Sequence, residues 1–308
     1  MKLSLFDLHC DTAGEMLRQC QSLADNTLAV SLKKAKVFSQ YIQVMAHWTP
    51  YSLSDEDGWE CFLRMNKNLT QDPALTNGDA ILCANFPSEL KKPSLLLAVE
   101  DVRIVAGKME RIDQLHQMGV SIVTPMWRGS TCIGGSHDVD EGLTPFGRQA
   151  VKHMLSLGMI PDISHASVQS AKEIFEIAKA QGRPVIASHS NAYEICPVSR
   201  NLQKEQIKEL LEVDGLIGLN LYKAFLKTDG EATAADVFPH IDYLLDMGCE
   251  NHLALGCDMD GCDLPPDVPD LAALPHLAEL MLARGYSEAL IQKIFFDNAY
   301  SFAKKYLS

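Results

Sequence analysis

The chain has 308 residues, 47% hydrophobic and 22% charged, with a formal net charge of -13. That length holds one large α/β domain with a full core, or two small ones. The acid excess excludes a nucleic-acid binder of the usual basic kind, because Lys33-Lys34 and Lys91-Lys92 are isolated pairs. No segment approaches the length of a membrane span. Met1-Lys2 leads directly into an apolar run without the pattern of a secretory leader, so the expected location is cytoplasmic. The nine cysteines are odd in number and form no Cys-x-x-Cys pair, which reads as free thiols in a reducing compartment.

Eight short apolar runs are expected to be strands. They span residues 3–11, 40–47, 94–100, 119–126, 158–165, 185–189, 215–222 and 253–258. In the first, Asp7-Leu8-His9-Cys10-Asp11 closes an apolar stretch. Strand alternation would put Asp7, His9 and Asp11 on one face. Three polar groups on one strand face need a partner, and a divalent metal is one that imidazole and carboxylate both suit. The alternative is a hydrogen-bonded turn that starts a helix at Asp11-Thr12.

Later runs end in the same residue types. Residues 95–99 lead to Glu100, 158–164 to His165, 184–188 to His189 and 252–257 to Asp258. Polar groups at one end of several strands mark the face on which a parallel barrel builds its active site.

Helical patterns fill most intervals. Thr144-Pro145 is an N-cap with proline at the first helical position, followed by Val151, Met154 and Leu155 at helical spacing and a stop at Gly158. Ser167 is expected to cap a helix whose stripe is Val168, Ala171, Ile174, Phe175 and Ala178, ending at Gly182. Further helices are expected around Ile207–Leu211 and Tyr243–Met247, and two C-terminal helices around 274–283 and 287–306. Strands alternating with helices over this length predict a single (β/α)8 TIM-like barrel with C-terminal helices over residues 1–308. An open doubly wound sheet would carry a glycine-rich phosphate loop after the first strand, and Asp11-Thr12-Ala13-Gly14 is not one.

Taken in order, Asp7-x-His9-x-Asp11, Glu100, Asp162-Ile163-Ser164-His165, Ser188-His189-Ser190-Asn191-Ala192, Arg200-Asn201 and Gly256-Cys257-Asp258-Met259-Asp260-Gly261 form a set that resembles the renal (membrane) dipeptidase family, peptidase family M19. Gly142-Leu143-Thr144-Pro145-Phe146-Gly147 also matches a family segment, and the likeness covers nearly the whole chain. It implies a dipeptidase with two zinc ions, or another divalent metal, acting on dipeptides with a free C-terminal carboxylate through a metal-bridging hydroxide. His9 and Asp11 would hold one ion, His165 and His189 the other, and Glu100 both. Ions roughly 3.5–4 Å apart can share and activate a water in this way.

The resemblance further implies that Asp258 serves as general base and then acid, and that Arg200 grips the substrate carboxylate. Tyr222 would lie near the substrate. Asp7 would support a ligand and Asp260 the loop. A homodimer is suggested. One departure is notable. After the fourth strand the family typically carries a histidine that contacts the developing oxyanion, and here Trp127 stands in its place, followed by Arg128. Arg128 or His137 is the expected substitute. Trp127 leaves two alternatives: a metal-dependent amidohydrolase acting on another small amide or lactam, and a catalytically silent ligand-binding barrel.

Overall fold

The computed structural model describes residues 2–87 and 89–308. The apolar runs form parallel strands: β1 (Leu5–Cys10), β2 (Tyr41–Trp48), β3 (Ile81–Leu82), β4 (Ser94–Glu100), β5 (Val120–Thr124), β6 (Ile160–Pro161), β7 (Ile217–Leu219) and β8 (Leu253–Leu255). The ladder runs β6-β5-β4-β2-β1-β8-β7. Its ends are joined through residues 186 and 187. Asp162 bridges Ile186, and Ala187 bridges Ile217, both in parallel sense. The expected strand at 185–189 therefore closes the ring through single bridges rather than through a ladder. β3 was not foreseen. It pairs with the first residues of β4, before β5 takes over that edge at Leu97.

Strand alternation sorts the side chains into two cores. Phe6, Leu8, Ile42, Val44, Leu96, Ala98, Ile122, Ile160, Ile186 and Ala254 fill the lumen, and Phe86, Phe296, Phe302 and Leu307 pack into the same cluster. Leu5, Met45, Leu95, Leu97, Val99 and Val123 belong to the outer layer, packed with Phe62, Met154, Phe175 and Leu210 of the surrounding helices. The C-terminal helix Asn298–Tyr306 contacts β1 and β8, and Phe86 N–H donates to the Leu307 carbonyl (2.7 Å). The N-terminal end of the barrel is thereby stoppered, and the carboxyl ends of the strands are left for chemistry.

The helices follow their caps. The Thr144 side chain accepts from Gly147 N–H ahead of the helix Pro145–Ser156. Ser167 does the same for Val168–Gln181, which ends at Gly182 in the left-handed conformation. Glycine is required elsewhere for a different reason. Gly218, in β7, and Gly256, just after β8, lie against the Ser188 carbonyl, and a Cβ on either would collide with it. Backbones thus approach closely just beneath His189. No helix among the described residues is long and apolar enough to cross a membrane.

Candidate metal centre

Alternation along β1 breaks where the chemistry begins. Asp7 pairs with Gln43 and Cys10 with Met45, three steps on one strand against two on the other. One residue is inserted as a bulge. Asp7 and Cys10 therefore face outward with Gln43 and Met45, while His9 turns toward the barrel mouth. The expectation that Asp7 shares a face with His9 and Asp11 is corrected by this bulge. Asp7 is fully buried and accepts from Gln43 Nε2 (3.0 Å) and Cys257 N–H (2.8 Å). It ties β1 to β2 and to the loop after β8; burial raises its carboxyl, and the nearby His9 imidazole opposes that rise. Asp11 directly follows β1 and is the N-cap residue of the helix Thr12–Gln19, so strand and helix start meet there.

Glu100, at the end of β4, is the hub. Its Oε2 lies 3.5 Å from His9 Nε2. Its Oε1 lies 2.8 Å from His165 Nε2 and 3.5 Å from His189 Nε2. His9 Nε2 is also 3.6 Å from Asp11 Oδ2 and 4.0 Å from Asp258 Oδ1. Two groups of ligating atoms result, His9–Asp11–Glu100 and Glu100–His165–His189, sharing the glutamate. A third combination, His9–Asp162–His189, is also close enough. Asp162, however, already accepts from Thr124 Oγ1, from the backbone N–H and hydroxyl of Ser164, and from both of the same groups of Ser188. Its oxygens are committed, so it supports the centre without serving as a ligand.

The donor set fits divalent cations. The Trp127 carbonyl can only accept, so its 3.1 Å contact fixes the hydrogen of neutral His165 on Nδ1 and leaves a bare lone pair at Nε2. That atom lies 3.0 Å from His189 Nε2. His9 Nε2 and Asp11 Oδ1 are buried without a partner. Lone pairs and carboxylate oxygens converge where only a positive charge satisfies all of them, and imidazole with carboxylate is a zinc-type donor set.

Titration behaviour reflects the same field. Burial pushes His9 down, yet Glu100 and Asp11 outweigh it and hold the imidazole well above its ordinary value. Burial raises Glu100, yet His9 and His165 outweigh it and hold it well below the usual carboxylate range. Burial, reinforced by Arg200, lowers His165 to about 4. Burial, reinforced by His9, takes His189 well below its ordinary value.

Asp258 has a positive φ of 61°, a left-handed conformation that an aspartate tolerates better than most residues. Its Oδ2 accepts from Asn220 Nδ2 (3.1 Å), while Oδ1 faces His9. Burial, with Asp11 and Glu100 adding to it against His9, raises the carboxyl to about 7. Gly261 is tightly placed here, since a Cβ would press on the carboxylates of both Asp11 and Asp258. Asp260 accepts from Thr12 Oγ1 (2.6 Å) and Ala29 N–H (2.7 Å), tying the loop to the first helix.

Arg200 is 5% exposed, yet Nε and Nη1 have no partner. Nη2 donates to the His189 carbonyl (3.3 Å), and the guanidinium lies 5.2 Å from the Phe225 ring centroid. A buried cation with idle donors is a site for an anion. Tyr222 is half-buried, with its ring 4.7 Å from that of Phe225. A cavity of about 580 Å³ opens beside Arg200, lined also by His137, Tyr193, Ser199 and Gln203.

Trp127 forms an aromatic corner with Trp48 (centroids 5.1 Å apart) and Tyr51 (6.2 Å), and its ring lies 6.0 Å from that of His165. Arg128 is not brought into this constellation. Its side chain is 64% exposed and turned toward Asp138 at 3.4 Å. His137, the other expected substitute, has its ring 5.9 Å from that of His165 and Nδ1 2.9 Å from Ser199 Oγ. Asp162, Ser188, Asn220 and Trp48 were not singled out as site residues. For the first two the signal lay in the Asp-x-Ser-His and Ser-His runs; Trp48 simply ends β2 and Asn220 follows β7.

The family model described as membrane dipeptidase (peptidase family M19) matches residues 1–305. A Klebsiella pneumoniae protein known as the uncharacterized protein in the pqqA 5' region is 32% identical over 204 residues, covering 62% of this chain and 74% of that one. The dipeptidase aclJ of Aspergillus oryzae is 31% identical over 210 residues, 66% of this chain and 49% of the relative, so the match spans about half of aclJ. Among solved structures, the M19 metallopeptidase described as dipeptidase AC superposes with a TM-score of 0.90 at 25% identity over 100% of this chain and 99% of that one. A Rhodobacter sphaeroides metallopeptidase, solved with a phosphinate mimic of the dipeptide L-Ala-D-Ala, shares the fold at a TM-score of 0.91 and 23% identity, over 99% and 100% of the respective chains.

Proposed function

This chain belongs to the membrane dipeptidase family, peptidase family M19, and on that premise we propose that it hydrolyses dipeptides with a free C-terminal carboxylate at a centre of two divalent ions, zinc by the nature of the donors. The observation that carries this reading is the convergence of three imidazole Nε2 atoms and the Asp11 carboxylate on the two oxygens of Glu100. His9 and Asp11 would hold one ion, His165 and His189 the other, and Glu100 would span both. When bound, the ions supply a water activated near neutral pH and a polarised scissile carbonyl.

The remaining work falls to side chains. Asp258, raised to about 7, is matched to taking a proton from water and returning it to the leaving amine nitrogen. Asn220 holds its second oxygen, so the free one faces the reacting centre. Arg200 offers its idle Nε and Nη1 to the substrate carboxylate, and the His189 carbonyl anchors the third guanidinium nitrogen. The cavity beside Arg200 would take the side chain of the C-terminal residue. The Trp48–Trp127–Tyr51 corner would flank the N-terminal residue and exclude water.

The same aromatic corner favours a second reading, a related amidohydrolase acting on another small amide or lactam, because Trp127 cannot carry the charge of the histidine found in the family. One experiment separates the two. Metal content of the purified protein is measured together with turnover of a dipeptide panel that includes D-residues at the C-terminal position. Two ions and dipeptide turnover are expected, with both lost in Glu100→Gln. Two ions without dipeptide turnover favour the second reading. Normal metal content and rate in Glu100→Gln overturn the bridging role, and absence of metal leaves a silent binder.

A further inference from the structure

We infer that Asp162 and Ser188 form a single tautomer lock shared by His9 and His189, so that one buried hydroxyl orients a ligand on each side of the centre. This rests on the two-ion reading above. Ser188 and Asp162 are both fully buried. The Ser188 hydroxyl has one hydrogen and two acceptor lone pairs. Four groups surround its oxygen: Asp162 Oδ2 at 2.6 Å, His189 Nδ1 at 2.7 Å, His9 Nδ1 at 3.4 Å and Ser164 Oγ at 3.4 Å.

The hydrogens can be assigned. The Ser164 hydroxyl donates to Asp162 Oδ1 (2.6 Å), as do the backbone N–H groups of Ser164 (3.0 Å) and Ser188 (2.8 Å). Asp162 Oδ2 takes the Thr124 hydroxyl (2.7 Å) and, at the shortest distance around Ser188, the Ser188 hydroxyl. An ionised carboxylate only accepts, so the Ser188 hydrogen points to it. The lone pairs then face His189 Nδ1 and His9 Nδ1, and both rings must carry their hydrogens there. Both Nε2 atoms are left bare and turned toward Glu100. This has the logic of a carboxylate–histidine–metal triad, with a serine inserted to serve two histidines at once.

The hydroxyl is held in place by backbone. The Ser188 carbonyl is pressed against Gly218 and Gly256, where no Cβ fits, and its N–H is fixed on Asp162. Losing the hydroxyl should therefore free the tautomer and tilt of one ligand on each side.

The test is a zinc titration of the purified protein against a chromophoric chelator, in wild type, Ser188→Ala, Asp162→Asn and Thr124→Val. Ser188→Ala is expected to weaken both ions by about 10- to 100-fold, the usual range for loss of such a supporting group. Asp162→Asn should weaken them further. Its amide can donate to Ser188, which turns the hydroxyl hydrogen onto His189 Nδ1 and puts a hydrogen on Nε2. Thr124→Val removes the other donor to Asp162 Oδ2 but leaves the Ser188 hydroxyl and its acceptor in place, and should change affinity less than about threefold. A second measurement needs no variant. Nitrogen-15 spectra of the zinc-loaded wild type should show protonated Nδ1 on both His9 and His189. Wild-type affinity in Ser188→Ala, loss confined to one ion, or metal on Nδ1 of either ring overturns the lock. If Ser188→Ala does not fold, the spectrum alone decides. A wild-type chain that binds fewer than two ions refutes the parent reading instead.

Discussion

Replacing Arg200 by alanine tests substrate recognition with little risk to the fold. In the free protein the guanidinium is a cost: it is buried, two of its nitrogens are idle, and burial lowers it to about 10 even though Asp258, Glu100 and Asp162 favour its charge. Deleting it removes one hydrogen bond to the His189 carbonyl and contact with the Phe225 ring, so the unliganded variant should fold and bind metal normally. The loss falls on the complex. A dipeptide carboxylate brought to this depth would lose a buried, hydrogen-bonded charge partner, which typically costs about 2–5 kcal/mol. At a factor of ten per 1.4 kcal/mol, kcat/KM for dipeptides should fall roughly 30- to 4,000-fold, mostly as a rise in KM. A C-terminally amidated dipeptide has no charge to grip and should change less than about threefold. The assay is steady-state kinetics on matched free and amidated substrates, with zinc content measured on the same samples. Equal losses on both substrates, or loss of metal, would mean that Arg200 only holds the His189 carbonyl, and the assignment of a carboxylate grip would fail.

Asp258→Asn keeps size and the contact with Asn220 but removes the base, so kcat should drop on the order of 10²-fold or more with metal retained; activity near wild type would place proton transfer elsewhere. Gly261→Ala drives a methyl into Asp11 and Asp258, and should weaken zinc on the His9 side while sparing the His165–His189 side, as read by stepwise metal titration; equal losses would refute that division. His47 is fully buried with Nε2 unpartnered, and burial lowers it to about 4 from 6.5. The unfolded chain then binds more protons than the native one below pH 6.5, so His47 stabilises the native state fully above 6.5 and loses that contribution as the pH falls toward 4. Between pH 7 and 5 the loss is about 2 kcal/mol by linkage. Urea denaturation of metal-free protein should show that much less pH dependence in His47→Leu, and an unchanged slope would show that His47 is already protonated in the fold.

The barrel and the cluster of imidazoles and carboxylates at its mouth were legible because both are local properties. Apolar runs of four to eight residues between helical stripes identify strands, and histidine or carboxylate at their carboxyl ends identifies the working face. Residues 185–189 were readable as a strand even though the ring closes there by single bridges, since the apolar run survives where the ladder does not. β3 escaped because two residues show no period. Asp7 was misplaced because a bulge inserts one residue, and nothing in Asp-x-His-x-Asp reports an insertion that exists only relative to β2. Arg128 was expected near the centre from its place beside Trp127, but a loop position does not fix a direction, and Asp138, ten residues on, draws it outward.

What stayed hidden is how the ligands are held, and the reason is distance along the chain. The contact between Ser188 and His9 spans 179 residues, that between Cys257 N–H and Asp7 spans 250, and that between Thr12 and Asp260 spans 248. Each joins the first strand, or the helix that follows it, to the later part of the ring. The residue types of the candidate site are written into single short runs, whereas their contacts and carboxyl environment arise only when the barrel closes and brings its early and late strands together. The candidate site therefore depends on closure itself. A change at the seam, such as a side chain at Gly218 or Gly256, would reach His189 through the Ser188 backbone without altering any ligand.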